Sequence, residues 1–411
     1  MAKNRGPALP DTGASEPTLG ERIAELRGRT GMTQTGLASR AGVSVDVIRK
    51  LEQGQRHTVS ISNLHKLAHA LDVDAGALLS KPRQLTAADD DSGSVTIRRT
   101  LTSVDDLIDG EDPEIEPLSV DEARRTLTYG WGSYWAGRYD QLGQLLPTAI
   151  GRARATLRAV PTAQRAEAAD LAAQVLQLAA CTLVQLGYVD VAHLALREAL
   201  GHARAGADPL RVEALCGTMA WLLLVEGRFL ESGRVAATAA AAIAPNAAAP
   251  LPAWSLYGSL LLSGATATGR DGNRAGALTL VDEAAAAAAR TGNRNDYETA
   301  FGPDQVRMQR VDVETVTEHY GAALTAGRDM PRDAALPLAA RARHLSDIAL
   351  AQTRLRHDVA ALDTVEAMAA MAPAWISYQE QPKMIVRELR ERAANPPRLT
   401  ALARKLGVIP A

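Results

Sequence analysis

A short predicted helix at residues 45–52 carries the most specific chemistry in the sequence. Its aliphatic residues Ile48 and Leu51 mark the buried side of the helix. The opposite side then presents Val45, Asp46, Arg49, Lys50 and Gln53. Arginine and lysine in such an array can donate to guanine O6 and N7, and each good bidentate contact discriminates by about 1–3 kcal/mol. We therefore expect this face to read base edges in a DNA major groove.

A more ordinary explanation exists for each of these residues. A solvated helix face would pair Arg49 or Lys50 with a nearby carboxylate, and both Asp46 and Glu52 are available. Val45 either covers the edge of the core or touches a thymine methyl group, and both roles stay open. The combination of residue types on one face favours base recognition over a merely solvated surface.

The chain around this helix carries the signals of two short helices joined by a tight turn. Thr33 is a suitable N-cap for a helix over Gln34–Ala41, and Ser44 is one for the helix over Val45–Glu52. Gly42 stands between them, where the turn requires a positive φ. This arrangement is typical of a helix-turn-helix.

Further apolar segments complete a small bundle over residues 18–81. Leu19, Ile23 and Leu26 predict a first helix, and the apolar spacing at 64–71 predicts a fourth. Leu78 and Leu79 complete the core, so we expect five short helices. Residues 1–17 contain three prolines without apolar periodicity and are expected to form a disordered tail.

Polar side chains next to these helices are candidates for contacts with phosphates. Gln34 begins the second helix, where an anion is favoured by the helix-end dipole. Gln55, Arg56 and His57 follow the third helix, where a DNA backbone would run. The candidate DNA-binding set is Thr33, Gln34, Ser44, Val45, Asp46, Arg49, Lys50, Gln53, Gln55 and Arg56.

The segment MTQTGLASRAGVSVDVIRKLEQGQR (Met32–Arg56) resembles the Xre-type, lambda-repressor/Cro-like helix-turn-helix family. That resemblance implies binding to operator DNA, usually as a dimer. One departure stands at Gly36, where the family often has glutamate. The change removes the capping box, and a glycine inside a helix costs about 1 kcal/mol relative to alanine.

Residues 82–117 are predicted to be an acidic, solvated linker. Three basic residues stand against twelve acidic ones between Pro82 and Glu122, whereas Thr18–Lys81 has nine basic and six acidic residues. The near-neutral net charge of the chain therefore combines a positively charged helical bundle with a negatively charged linker. The sequence leaves open whether a short helix or strand forms around Val95–Leu101 within this linker.

From residue 118 to 411 the sequence predicts stacked helical hairpins. Apolar helices end in glycine-centred turns, which we place at Gly137, Gly187, Gly227, Gly269 and Gly327. Hairpins of this kind cannot bury their apolar faces alone and must stack. With aromatic residues at only 4% and abundant alanine and leucine, the fold class is all-α, with an α-solenoid of five or six helix pairs.

Motifs in this second part carry a resemblance of their own. YGWGSYWAGRYDQLGQLLP (Tyr129–Pro147), FGPDQV (Phe301–Val306), RARHLSDIALAQ (Arg341–Gln352) and LTALARKLGV (Leu399–Val408) are similar to an actinobacterial group of Xre-type regulators with tetratricopeptide-like domains. The group's usual second motif is FGPTNV, so Asp304 and Gln305 replace threonine and asparagine. The architecture also resembles peptide-sensing regulators of Gram-positive bacteria, whose inner-surface asparagines clamp a peptide backbone, a role Gln305 could take less tightly.

A concave solenoid surface suits a peptide, a protein segment or a small effector. Candidate lining residues are Tyr134, Trp135, Trp254, Tyr257, Asp304, Gln305 and Arg307, of which Tyr257, Asp304, Gln305 and Arg307 form the predicted ligand set. Packing between hairpins explains the aromatic residues equally well. Asp304 and Gln305 follow a proline at a helix start, where capping explains them too.

Signals of catalysis, metal binding or membrane insertion are weak. Cys181 and Cys216 are expected to be small buried apolar residues. His65 and His69 share a helix face but have no third metal ligand, so we expect them to cap and be solvated. No nucleophile elbow, phosphate loop, signal peptide or membrane span is recognised in the sequence. We expect a cytoplasmic protein that is not an enzyme and needs no cofactor or metal.

The sequence therefore predicts a DNA-binding transcription regulator. We expect a homodimer on double-stranded operator DNA, with the solenoid sensing a peptide, small-molecule or protein signal. The alternative is an interaction scaffold or antitoxin-like partner whose helix-turn-helix does not read DNA. Exposed Arg49 and Lys50 distinguish the two, because a scaffold does not need them.

Overall fold

The computed structural model describes residues 18–56, 59, 61–73, 78, 93–103, 115–392 and 397–409. Every regular element within those ranges is helical, so the predicted all-α class is confirmed. The predicted tail (1–17), most of the predicted fifth helix and parts of the predicted linker lie outside the described residues.

The amino-terminal bundle contains α1 (Leu19–Arg29), α2 (Gln34–Ala41), α3 (Val45–Glu52) and α4 (Ile61–Leu71). Its core is formed by apolar side chains from all four helices, among them Ile23, Leu37, Ile48, Leu51 and Leu67. Leu78 from the predicted fifth helix is fully buried in the same core.

The predicted caps and turn of the bundle are present. The Thr33 hydroxyl accepts a hydrogen bond from the Gly36 amide at 3.0 Å, and the Ser44 hydroxyl accepts one from the Asp46 amide at 3.3 Å. Gly42 has φ +62°, a conformation that glycine adopts without steric cost. Local side-chain chemistry thus fixes both ends of the turn before α3.

Helix α5 (Gly93–Leu101) lies inside the segment predicted as an acidic linker. Its Ile97 and Leu101 are buried in the main hydrophobic core of the following domain. A helix, not a strand, therefore forms around Val95–Leu101. It is packed rather than solvated because its apolar side chains lie three to four residues apart on one face.

The remaining helices are α6 (Val120–Trp135), α7 (Tyr139–Ala159), α8 (Arg165–Gln185), α9 (Val189–Ala205), α10 (Arg211–Val225), α11 (Phe229–Ile243), α12 (Leu251–Arg270), α13 (Arg274–Thr291), α14 (Pro303–Val316), α15 (Tyr320–Gly327), α16 (Leu338–Arg354), α17 (Asp358–Met371), α18 (Pro373–Ser377), α19 (Glu380–Arg392) and α20 (Pro397–Lys405). From α6 to α17 they form six consecutive pairs within residues 115–392, each joined by a tight turn. The predicted number of five or six pairs is confirmed for this part of the chain.

Six turns within the pairs use one residue of positive φ. The predicted glycine turns at Gly137, Gly187 and Gly227 have φ between +71° and +84°. The fourth turn uses Gly272 at φ +92°, whereas Gly269, where we predicted it, is still inside α12.

The last two turns have no glycine at this position. Glu318 at φ +65° joins α14 to α15, and Arg356 at φ +62° joins α16 to α17. The predicted turn residue Gly327 instead forms the end of α15. These two turns explain why a search for glycine misplaces the later hairpins.

Helix α8 is the central helix of the main core. The segment Thr162–Gln185 is long and apolar enough to cross a membrane, but 89% of its apolar window is buried inside the protein. Its apolar character is therefore that of a core helix.

Candidate nucleic-acid interface and solenoid cavity

The outer face of α3 is open to solvent. Ile48 and Leu51 are 0% and 1% exposed, which anchors the helix in the bundle. The side chains of Arg49 and Lys50 are 53% and 50% exposed. The buried aliphatic pair thus fixes the orientation in which the two cations point outward.

Ion pairs within α3 order this exposed face. Lys50 Nζ lies 2.8 Å from Asp46 Oδ2, and Arg49 lies 3.8 Å from Asp46 Oδ1. The hydrogen bond from Lys50 lowers the pKa of Asp46 below its usual value. Because all three side chains are solvated, polar DNA atoms can replace these pairings at small cost.

A buried carboxylate fixes α3 against α1 and α2. Arg27 donates two hydrogen bonds to Glu52, from Nε at 2.7 Å and from the terminal nitrogen at 2.8 Å. Gln34 Nε2 donates to Glu52 Oε2 at 2.8 Å. Burial raises the pKa of Glu52, but these hydrogen bonds outweigh burial and leave that pKa below its usual value. In this arrangement Glu52 is a positioning residue, and the amide of Gln34 is engaged within the bundle.

The segment after α3 folds back onto the helix end. The backbone amides of Gln55 and Arg56 both donate to the Lys50 carbonyl, at 2.8 and 2.9 Å. Burial raises the pKa of Tyr320 in α15, and among the smaller effects the charge of Arg56 opposes that rise. Gln53, Gln55 and Arg56 are all exposed, and Arg56 is near enough to α15 for its charge to act on Tyr320. His57 lies outside the described residues. The predicted DNA contacts of the whole set stay predictions.

The inner surface of the solenoid carries a partly open cavity of about 600 Å³. The first helix of each of the six pairs contributes to its wall, so the cavity lies along the inner surface of the stack. Tyr134 and Trp135, two of the predicted lining residues, are part of this wall. Cys181 also lines it and is a free thiol, as is the half-buried Cys216.

Gln305 is the member of the predicted ligand set that lines the cavity. Its Oε1 is buried and has no hydrogen-bond partner among the residues that the structure describes. An orphaned buried oxygen carries a desolvation cost that a donor group would relieve. Gln305 thus keeps an unused acceptor at the wall of the cavity.

Asp304 and Arg307 have structural contacts instead. Asp304 is 4% exposed, and its Oδ2 accepts hydrogen bonds from the Ala335 amide at 2.7 Å and from Asn293 Nδ2 at 2.8 Å. Arg307 donates to Asp304 Oδ1 at 2.7 Å. The carboxylate joins two loops to the start of α14, which gives the unusual aspartate in the FGPDQV motif a packing role.

Tyr257 and Trp254 are not among the residues that line the cavity. The Tyr257 hydroxyl donates a short hydrogen bond to Glu283. Arg290 lies over the Trp254 ring, 4.8 Å from its centroid. Both aromatic residues therefore join α12 to α13, the packing alternative considered for them.

Charged residues from three helices meet at one side of the cavity. Arg270 of α12 lies 3.3 Å from Asp312 of α14, and Arg343 of α16 lies 3.6 Å from the same oxygen. Asp347, one turn after Arg343, accepts a hydrogen bond from Gln381 at 3.1 Å. Among the described residues, no cluster of three or more histidine, cysteine, aspartate or glutamate side chains could hold a metal ion.

The helix-turn-helix bundle itself contributes to the cavity wall, through Leu64 and His65 of α4. The His65 ring packs edge-to-face on Phe229 of α11, with centroids 5.2 Å apart. Its Nδ1 is buried and has no hydrogen-bond partner within the described part of the chain. Burial, with a smaller contribution from the charge of Arg270, lowers the pKa of His65 to about 4. The expectation that His65 is solvated was wrong, because α4 docks against the solenoid.

Comparison with known proteins shows that the amino-terminal bundle is similar to a known domain family. Residues 18–80 match a family model described as a helix-turn-helix domain. No curated protein matches the chain significantly. A solved structure of Bacillus thuringiensis PlcR, in complex with the peptide PapR7 and DNA, is similar at 12% sequence identity and a TM-score of 0.36, over 76% of this chain and 94% of that chain. The described part of the chain is thus all-helical, and residues 18–80 match the helix-turn-helix domain family.

Proposed function

We propose that this protein is a sequence-specific DNA-binding transcription regulator. The observation that carries the proposal is the exposed cationic face of α3, with Arg49 and Lys50 directed away from the core of a helix-turn-helix domain. In such domains the third helix enters the major groove with its exposed residues. The proposal includes a cytoplasmic location and no catalytic role.

Recognition would divide between bases and phosphates. Arg49 and Lys50 would read base edges, whereas Ser44, Gln55 and neighbouring polar groups would position the domain on the backbone. We propose that two copies bind an inverted repeat, with half-sites about 34–36 Å apart or a multiple of that distance.

The solenoid cavity would bind the effector of the regulator. An effector changes an equilibrium only if it binds one conformation better than another. Leu64 and His65 support such a coupling, because they belong to the helix-turn-helix domain and also line the cavity. A ligand that alters this shared wall would shift the position of α3 in the dimer.

The proposal is tested by retardation of a fragment from the protein's own promoter, with salt as the variable. Each phosphate neutralised should steepen the slope of log affinity against log salt by about 0.9. Retardation of this fragment at lower protein concentration than a scrambled fragment supports specific regulation. Equal retardation of both fragments, or none at low salt, would favour the scaffold or antitoxin-like alternative.

A further inference from the structure

Arg343 is a cationic side chain whose surface opens onto the cavity. It lies deep among protein atoms, yet 40% of its side-chain surface is exposed. Since Arg343 lines the cavity, part of that exposed surface faces it. A guanidinium group in this position can present N–H donors to a bound molecule.

The carboxylate facing Arg343 is already engaged by other donors. Asp312 accepts hydrogen bonds from Arg270 at 3.3 and 3.4 Å, and from Gln309 at 2.8 Å. Arg343 reaches Asp312 only at 3.6 Å. Two guanidinium groups thus share one carboxylate, and Arg343 is the more weakly held of the two.

Asp347, the next carboxyl group along α16, neutralises the positive charge of Arg343 poorly. Asp347 follows Arg343 by four residues and so lies on the same face of α16. Burial, followed by the negative charge of Asp312, raises the pKa of Asp347 to about 7. Its Oδ1 accepts from Gln381, and its buried Oδ2 has no hydrogen-bond partner in the described ranges. Around neutral pH this part of the cavity wall therefore carries excess positive charge.

The rest of the wall suits an apolar or aromatic body. Trp131, Tyr134, Trp135, Trp375 and Tyr378 all line the cavity. A volume of about 600 Å³ lies within the roughly 300–1,000 Å³ common for ligand pockets. The cavity thus combines aromatic walls with the guanidinium groups of Arg270 and Arg343, of which Arg343 is the more exposed.

We propose that the effector carries a carboxylate and an apolar body, and that Arg343 binds the carboxylate through its guanidinium group. Arginine suits this role because its planar donors match the two oxygens of a carboxylate. The proposal rests on the proposed sensing role of the solenoid. A free organic acid and the carboxyl terminus of a short peptide share this chemistry.

The test measures binding of four probes to the full chain by calorimetry. The probes are indolepropionate, indolepropionamide, and the tripeptide Leu-Ala-Trp as free acid and as carboxamide. We expect at least one acid to bind, and its uncharged amide to bind much more weakly. Binding of indolepropionate alone indicates a small acid, whereas preference for the tripeptide acid indicates a peptide terminus. Failure of both acids to bind, or equal binding of acid and amide, would overturn the proposal.

Two variants locate the binding site. Arg343→Gln should weaken binding of the acid by roughly tenfold or more, since a buried charge loses its partner, and Arg343→Lys should weaken it less. Arg341→Gln is the matched control, because Arg341 lies on the same helix but donates to the Arg332 carbonyl and does not line the cavity. Unchanged affinity in Arg343→Gln, with helicity retained, would assign the acid to another site.

A pH series tests acid binding at Arg343, and a DNA assay tests the proposed regulator function separately. The groups around Asp347 are Arg270, Asp312, Arg343 and Gln381. Because protonation of Asp347 removes a negative charge beside Arg343, the acid should bind more tightly at pH 6 than at pH 8. Retardation of promoter DNA by the same preparation without any acid tests the regulator function separately, so either result can fail while the other stands.

Discussion

The imidazole of His65 in α4 packs edge-to-face on the ring of Phe229 in α11, with 5.2 Å between ring centroids. This contact joins the helix-turn-helix domain to the solenoid. It forms beside Gly227, where an added Cβ atom would lie 2.8 Å from His65 Nδ1. The turn between α10 and α11 therefore accommodates the imidazole only because it lacks a side chain.

Gly227→Ala should loosen the docking of α4. The added methyl group would collide with the His65 ring, and φ +78° is also strained for alanine. We expect faster amide hydrogen exchange in α4 of this variant, measured by mass spectrometry on the full chain.

Gly187→Ala is the matched control for that experiment. Gly187 has φ +84° in an equivalent turn, but nothing lies within 4 Å of its added Cβ. Both variants carry similar backbone strain of about 1–2 kcal/mol, whereas only Gly227→Ala adds the collision. Equal exchange in α4 of the two variants would argue against docking through His65.

Acidification should separate the helix-turn-helix domain from the solenoid. Docking lowers the pKa of His65 from 6.5 to about 4, so the undocked imidazole binds a proton more readily. The docked state is therefore favoured above pH 6.5 and weakens as the pH falls toward 4. Small-angle X-ray scattering should show a larger radius of gyration at pH 5 than at pH 7.5.

His65→Phe tests the origin of that expansion, since it keeps an aromatic ring but cannot be protonated. Its radius should change much less over the same pH range. His344 in α16 also has its pKa lowered to about 4 by burial, but it lies within the solenoid and remains in both proteins. Equal expansion of wild type and His65→Phe would assign the effect to groups such as His344.

Gly20→Ala should destabilise the helix-turn-helix domain. An added Cβ atom would lie 1.9 Å from the Leu51 carbonyl oxygen, so α1 would have to move away from α3. We expect a loss of about 1–3 kcal/mol, typical of an overpacked core, measured by hydrogen exchange of the α3 amides. Gly28→Ala on the same helix meets nothing within 4 Å and should be neutral or slightly stabilising.

Arg49→Ala should abolish preference for the operator while leaving helicity unchanged. The side chain is exposed and its ion pair with Asp46 is long, at 3.8 Å, so its loss should leave the bundle intact. Loss of one base-reading contact should cost about 1–3 kcal/mol on the specific fragment. Arg29→Ala, which removes an exposed arginine paired with Glu25 on α1, serves as control. Retained operator preference in Arg49→Ala would place the reading face elsewhere.

Local chemistry made the helix-turn-helix predictable. Thr33 and Ser44 cap their helices, and Gly42 adopts a positive φ, as the sequence indicates. Each of these features depends on residues only a few positions apart. The outward direction of Arg49 and Lys50 likewise follows from the helical spacing of the buried residues Ile48 and Leu51, which lie on either side of them in the sequence.

Contacts between distant segments were not predictable in the same way. His65 looked like a solvated helix residue, because its partner Phe229 is far away in the sequence. Arg343 belongs to the motif RARHLSDIALAQ, but nothing in that motif indicated a contact with a ligand, since the proposed role of Arg343 depends on three helices meeting at the cavity. Glu318 and Arg356 take turn conformations usual for glycine, and the surrounding packing must impose them.

The shared wall at Leu64 and His65 has a thermodynamic corollary for the proposed regulator. Coupling between two ligands is reciprocal. If an effector lowers the affinity of the protein for operator DNA by some factor, operator DNA must therefore lower the affinity for the effector by the same factor. Promoter occupancy would then set how much effector the protein retains, and regulator bound to DNA would respond at a different effector concentration from regulator free in solution.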